Sequence, residues 1–273
     1  MSFTSLIRLL GTNAYAAAPT ASTVESAIRS MAAPIGRSAV DEAQFLLGIA
    51  SEVEHAFLLQ YLYASYSFDQ TSANPAVDSA INEFVELARQ EMGHLVTVQN
   101  LRRAIGAHLD LNSEDFPAHP DLYPFPAALE PVSSSSVAKY VTAEAPDQKD
   151  IPPADRADAA RAAAEAAQQV PKIQRVGAVY TALYWLFQSG DAPEGPWQLD
   201  ATMIAALFDR YGAGFHVRDG DFVPAATAAD VAASKQEWGG DPSVLVDPAD
   251  PRAIGVVWHR LPGRRPSRDG RPA

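Results

Sequence analysis

The chain contains no cysteine. Disulfides, thiolate metal sites and cysteine nucleophiles are therefore excluded, and any metal must be held by histidine and carboxylate. Positive charge is also scarce: 21 Lys and Arg stand against 33 Asp and Glu, for a net charge of −12. Binding to a phosphate backbone needs clustered cations, and no basic stripe interrupts the body of the sequence, so a nucleic-acid partner is not expected. No stretch approaches about 18 uninterrupted apolar residues, the length a membrane span requires. With 273 residues, 47% of them hydrophobic, the chain can bury a sizeable core as one large or two small domains. The expectation is a soluble cytoplasmic protein with a small-molecule substrate, able to form a homo-oligomer.

What is present centres on residues 81–106. Phe84, Leu87, Ala88, Glu91, His94, Leu95, Val98 and Ile105 fall at steps of three, four and seven, the spacing of one helical face. The opposite stripe runs through Glu83, Glu86, Arg89, Gln90, Gly93, Thr97, Asn100 and Arg103. A solvated face was thus available for charge, yet Glu91 and His94 lie on the apolar one. Burying a carboxylate is costly unless it is paired or coordinates a metal. Glu-x-x-His on a bundle helix projects both side chains together into a core, the arrangement of di-metal carboxylate bundles. The same glutamate could instead be paired with Arg102, Arg103 or Arg175, without any metal.

Upstream, a helix is expected to start at a Ser38 or Asp41 cap and run through residues 41–68. It is apolar nearly all round, which marks a helix buried among others. Glu52, Glu54 and His55 intrude into it. Glu54 shares a row with Leu47, Ser51, Leu58 and Tyr61, so a carboxylate hydrogen-bonded to a tyrosine, or one capping a neighbouring helix, is the structural alternative to a ligand. Residues 70–75 make a turn, and the two long helices, near 39–68 and 79–105, should pack antiparallel across it.

Residues 1–36 are rich in Ala, Ser and Thr and read as an extension with a short helix over 24–32. A secretory signal would use Arg8 and Ala14-Tyr15-Ala16, but Gly11-Thr12-Asn13 leaves its apolar core too short. After Gly106 come five prolines and a serine run, expected to form a long loop wrapping the bundle, with His108 and His119 solvated. Further helices are expected over 137–145, 154–170, 172–188 and 201–211, then after Thr227 and Pro251. His216 follows Gly212 and Gly214 and precedes Asp219-Gly220-Asp221, a position that could line an opening beside the bundle. Residues 260–273 carry five Arg against one Asp and are expected to be a disordered basic tail. The domain proper is then 37–259.

Taken together, SEVEHAFLLQYLYASYSF, ELARQEMGHLVTVQNLRRAIGAHLDL and HPDLYPFPAALEP resemble the ferritin-like family that includes the iminophenyl-pyruvate dimer synthase domains of violacein and indolocarbazole biosynthesis. The likeness covers residues 40–190, with weaker similarity through GFHVRDGDF. It implies an all-α fold, a ferritin-like antiparallel helical bundle with long wrapping loops. It also implies that Glu54, Glu91 and His94 match a non-haem iron ligand pattern. The chemistry it implies is oxidative, with dioxygen or peroxide and aromatic amino-acid-derived substrates. Two departures stand out. Where a third-helix carboxylate is expected the chain has Ala178, and a fourth bundle helix with a second His and Glu pair is not evident, being truncated or missing.

Two readings follow. In the first, Glu54, Glu91 and His94 hold one iron with positions open for dioxygen, or the site is completed by Glu52, His55 or His216, and the protein is an oxidoreductase. In the second, the chain is a metal-free bundle that kept the core and lost the chemistry, with a structural or partner-binding role.

Overall fold

A computed structural model describes residues 24–31, 34, 38–111, 124–145, 151, 153–169, 176–191, 199 and 201–223. Among them the regular structure is helical throughout. Helix α1 is Val24–Ser30, α2 Ala39–Tyr66, α3 Pro75–Ala104, α4 Ser134–Glu144, α5 Arg156–Gln169, α6 Val176–Leu186 and α7 Ala201–Tyr211. A 3-10 turn follows at Asp219–Asp221. The all-α expectation is met, and the two long helices begin and end within four residues of their expected bounds. The helices expected after Thr227 and Pro251, the tail 260–273, His119 and Arg175 lie outside the described residues.

Local chemistry sets the helix ends. Ser38 and Asp41 both serve at the start of α2: the Asp41 N–H donates to Ser38 Oγ at 3.2 Å, and the Ser38 N–H to Asp41 Oδ2 at 3.2 Å. That reciprocal pair is a capping box with aspartate in the third position. Asn74 caps α3 by accepting from the Ala76 N–H at 3.0 Å, and Pro75 supplies a first residue that needs no donor. Gly106, at φ 75°, closes α3. Its N–H reaches the Arg103 carbonyl at 3.2 Å, and the Ala107 N–H reaches Arg102 at 2.8 Å. This double closure requires the left-handed conformation that glycine adopts at least cost. Ser133 caps α4 in a further capping box with Ser136.

The chain forms two compact units. The first comprises residues 1–33, 52–91 and 112–181, and the second 34–51, 92–111 and 182–273.

In the first unit the core is aromatic. Phe57, Tyr61, Phe84, Phe125 and Tyr140 are all buried, and Tyr61 lies edge-on to Tyr140 at 5.0 Å and beside Phe84 at 6.3 Å. Fully burying one such side chain is worth about 1.5 to 3 kcal/mol, so this cluster anchors α2, α3 and α4 to one another. Glu54 of α2 meets Glu91 of α3, and seven residues on Tyr61 meets Phe84, seven residues back. Numbers that rise on one helix as they fall on the other mark an antiparallel pair.

The second unit repeats that order: Gln44 donates to the Ile105 carbonyl at 3.0 Å, and Ser51 receives a hydrogen bond from Gln99. Its buried residues include Leu46, Leu47, Trp185, Leu186 and Leu207. Glu42, with no exposed surface, is met there by Arg210 at 3.1 Å and by the Tyr211 hydroxyl at 3.3 Å. Leu59, Tyr63 and Tyr66 are exposed, so one edge of α2 departs from the expectation of burial all round. Gly93, on the stripe of α3 expected to be solvated, is buried.

Candidate metal centre

Helix α3 places Glu91 and His94 one turn apart on its buried stripe, as the three-residue step demands. Glu91 is buried and His94 half-buried. Helix α2 contributes Glu54, 1% exposed. One carboxylate oxygen from each glutamate and one ring nitrogen of His94 lie within 4.8 Å of one another. Two oxygens and an imidazole nitrogen converging in this way suit a divalent first-row metal, and nothing softer is offered by a chain without cysteine.

Glu52 and His55 are not in this group, for a geometric reason. They stand two residues before and one residue after Glu54, and such neighbours do not face the same way on a helix. His216 is not in it either. It is buried rather than lining an opening. Its Nδ1 donates to the Trp185 carbonyl at 2.9 Å, and its Nε2 lies 2.8 Å from Asp191 Oδ1. Arg102, the first cation considered as a partner for Glu91, donates instead to the His108 carbonyl at 2.9 Å, with Asp110 3.9 Å away. Arg103 is exposed.

Two tyrosines complete the surroundings. The Tyr180 hydroxyl of α6 donates to Glu54 Oε1, and the Tyr61 hydroxyl donates to Glu144 Oε1 at 3.2 Å. The hydrogen bond from a tyrosine to Glu54, named above as an alternative to a ligand role, is present, with Tyr180 as its donor. Burial, reinforced by the charge of Glu54 and the hydrogen bond to it and then by Glu91 and Glu144, keeps the Tyr180 phenol well above its ordinary value. Tyr61 is pushed the same way by burial first, then by Glu144, Glu91 and Tyr140. Both phenols thus feel Glu91 and Glu144 and stay protonated donors through the neutral range.

Glu144 was not anticipated. It ends α4, half-buried, and its charge reaches both phenols. A lone glutamate before Ala145-Pro146 carries no periodic signal; its one legible trace is that it closes a helix whose Val137, Tyr140 and Val141 are buried. The face that α6 turns toward Glu54 carries Tyr180. Ala178, two residues earlier, lies about 200° round the helix, so a carboxylate at that position would leave from another face.

The ferritin-like family model matches residues 47–207, more than half of the chain and inclusive of Glu54, Glu91, His94, Glu144 and Tyr180. No curated protein and no solved structure matches the chain. No helix among the described residues is long and apolar enough to cross a membrane.

Proposed function

The chain belongs to the ferritin-like family, and from that premise we propose that it is a non-haem iron oxidoreductase acting on a small aromatic or amino-acid-derived metabolite. The observation that carries this reading is the convergence of Glu54, Glu91 and His94 within 4.8 Å, on buried faces of two helices. Such a set offers one nitrogen and two oxygens, a variant of the facial triad in which carboxylate replaces one histidine. Iron bound there supplies electrons for the reduction of dioxygen. The chain's own residues do the rest. Glu54, Glu91 and His94 hold the ion, Tyr180 donates a hydrogen bond to the Glu54 carboxylate, and the aromatic side chains of the first unit keep bulk water away. The substrate class and the closer kinship, to the iminophenyl-pyruvate dimer synthase domains, rest on the resemblance of the sequence motifs.

One observation favours the second reading, a metal-free bundle with a structural or partner-binding role: Glu54 already has a phenol donor. Elemental analysis of protein purified from iron-supplemented cells decides between the two. Near-stoichiometric iron, lost in Glu91→Ala, is the expected result. Wild-type protein with no more iron than the variant overturns the oxidoreductase reading.

A further inference from the structure

We propose that Tyr180 is a positioning residue of this centre, one that holds Glu54 to coordination through a single oxygen, Oε2. The inference rests on the metal-binding reading above and deepens it.

A glutamate carboxylate turns about a broad, roughly two-fold terminal torsion, so an unrestrained one can present either oxygen, or both, to a cation. In this protein the Tyr180 hydroxyl donates to Oε1 of Glu54. A hydrogen bond to a charged carboxylate is stronger than one between neutral groups and selects one orientation of the group over the other. Tyr180 stands on α6 between Val179 and Thr181, both buried, and next to the turn that carries buried Ala178.

The consequence is specific to coordination. With Oε1 given to the phenol, a cation among Glu54, Glu91 and His94 meets Glu54 through Oε2 alone, which keeps a coordination position that a two-oxygen carboxylate would fill. Partners of metal ligands typically alter affinity 10- to 100-fold when removed, because they fix orientation before the ion arrives. Tyr61 and Glu144 repeat the phenol-to-carboxylate arrangement in the same unit at 3.2 Å.

The test uses Co(II) as the probe, titrated anaerobically into full-length wild type and Tyr180→Phe, with the visible ligand-field spectrum and the dissociation constant as readouts. Thermal unfolding of both apo proteins accompanies it. The expected result is Co(II) binding by wild type, and in Tyr180→Phe a 10- to 100-fold weaker constant with shifted ligand-field bands. A purely structural phenol would lower the apo unfolding midpoint and leave the bands where they are. Equal constants and identical bands in the two proteins overturn the inference and leave the metal reading standing. Wild type that takes up no Co(II) overturns the metal reading, and the inference falls with it. Should the variant not fold, a crystal structure of Co(II)-loaded wild type gives the answer. Oε1 on the Tyr180 hydroxyl with Oε2 on the ion supports the inference, and both oxygens on the ion overturn it.

Discussion

Helix α2 buries two glutamates, and the company each keeps is different. Glu42, in the second unit, is fully buried against a guanidinium, Arg210, whose own side chain is 7% exposed, and a phenol, Tyr211. Glu54, in the first, is nearly as deep, and what gathers about it is a phenol, a second glutamate and a histidine. A buried carboxylate beside an arginine carries its countercharge in the fold, whereas ligand atoms drawn from two carboxylates and an imidazole form a cradle for a cation. Burial alone therefore does not mark a site; the identity of the first neighbours does.

The largest effect that would break this contrast is on the Glu42 side. Glu42→Ala removes the partner of a buried guanidinium, and stranding such a charge costs about 3 to 5 kcal/mol. That loss is expected in denaturant or thermal unfolding with and without Fe(II), by the same amount. A midpoint that responds to iron in wild type and ignores it in Glu42→Ala would show that the ion pair and the cradle are not independent.

The Glu54 side should behave in the opposite manner. If Glu91 and His94 bind iron, wild type gains RT ln(1 + [L]/Kd), about 2.7 kcal/mol at a hundredfold excess of free metal over Kd. Glu91→Ala and His94→Ala should each abolish the gain. The apo midpoint of each variant gives the change in the fold alone, against which the loss of the iron-dependent gain is read. Anaerobic thermal unfolding of the three proteins, with and without Fe(II), measures both quantities. A wild-type midpoint indifferent to iron, together with a Glu91→Ala protein strongly destabilised in both conditions, would end the oxidoreductase reading.

How much of this the sequence disclosed depends on whether a residue belonged to a periodic run. Phe84, Leu87, Ala88, Leu95 and Val98 set a clear stripe, and the stripe carried Glu91 and His94 with it into the core. Glu54 was legible through its row on α2. Glu42 was not: an acid in the first turn of a helix reads as a partner of the helix dipole, and only the packing of Arg210 and Tyr211, 168 and 169 residues away, reveals it as a buried ion. Glu144 was hidden because it is the last residue of a short helix, where periodicity runs out. His216 was misplaced for a related reason. Glycines and a tight turn flank it, so the sequence reads as open loop, but Asp191 and the Trp185 carbonyl lie 25 and 31 residues away and draw it inward.

Asp191 gives the smallest effect and the finest version of the comparison, since it is a partnered carboxylate that has kept contact with solvent, 38% exposed where Glu42 has no exposure at all. The Gly214 N–H, first, and then His216 hold its carboxyl below the usual aspartate range. A depressed folded-state value means stability that is fully present above the unfolded value, about 3.9, and that is lost as pH falls through the folded one. Asp191→Asn keeps the shape of the side chain and removes its charge. Unfolding midpoints of wild type and Asp191→Asn should thus differ at about pH 5, and that difference should shrink steadily as pH falls below about 4. Exposure keeps the whole effect small through solvent screening, so 1 M salt should narrow the gap at pH 7 as well. A gap that persists unchanged to pH 3 would mean that Asp191 acts through shape alone, and its likeness to the charge-matched carboxylate at Glu42 would be lost.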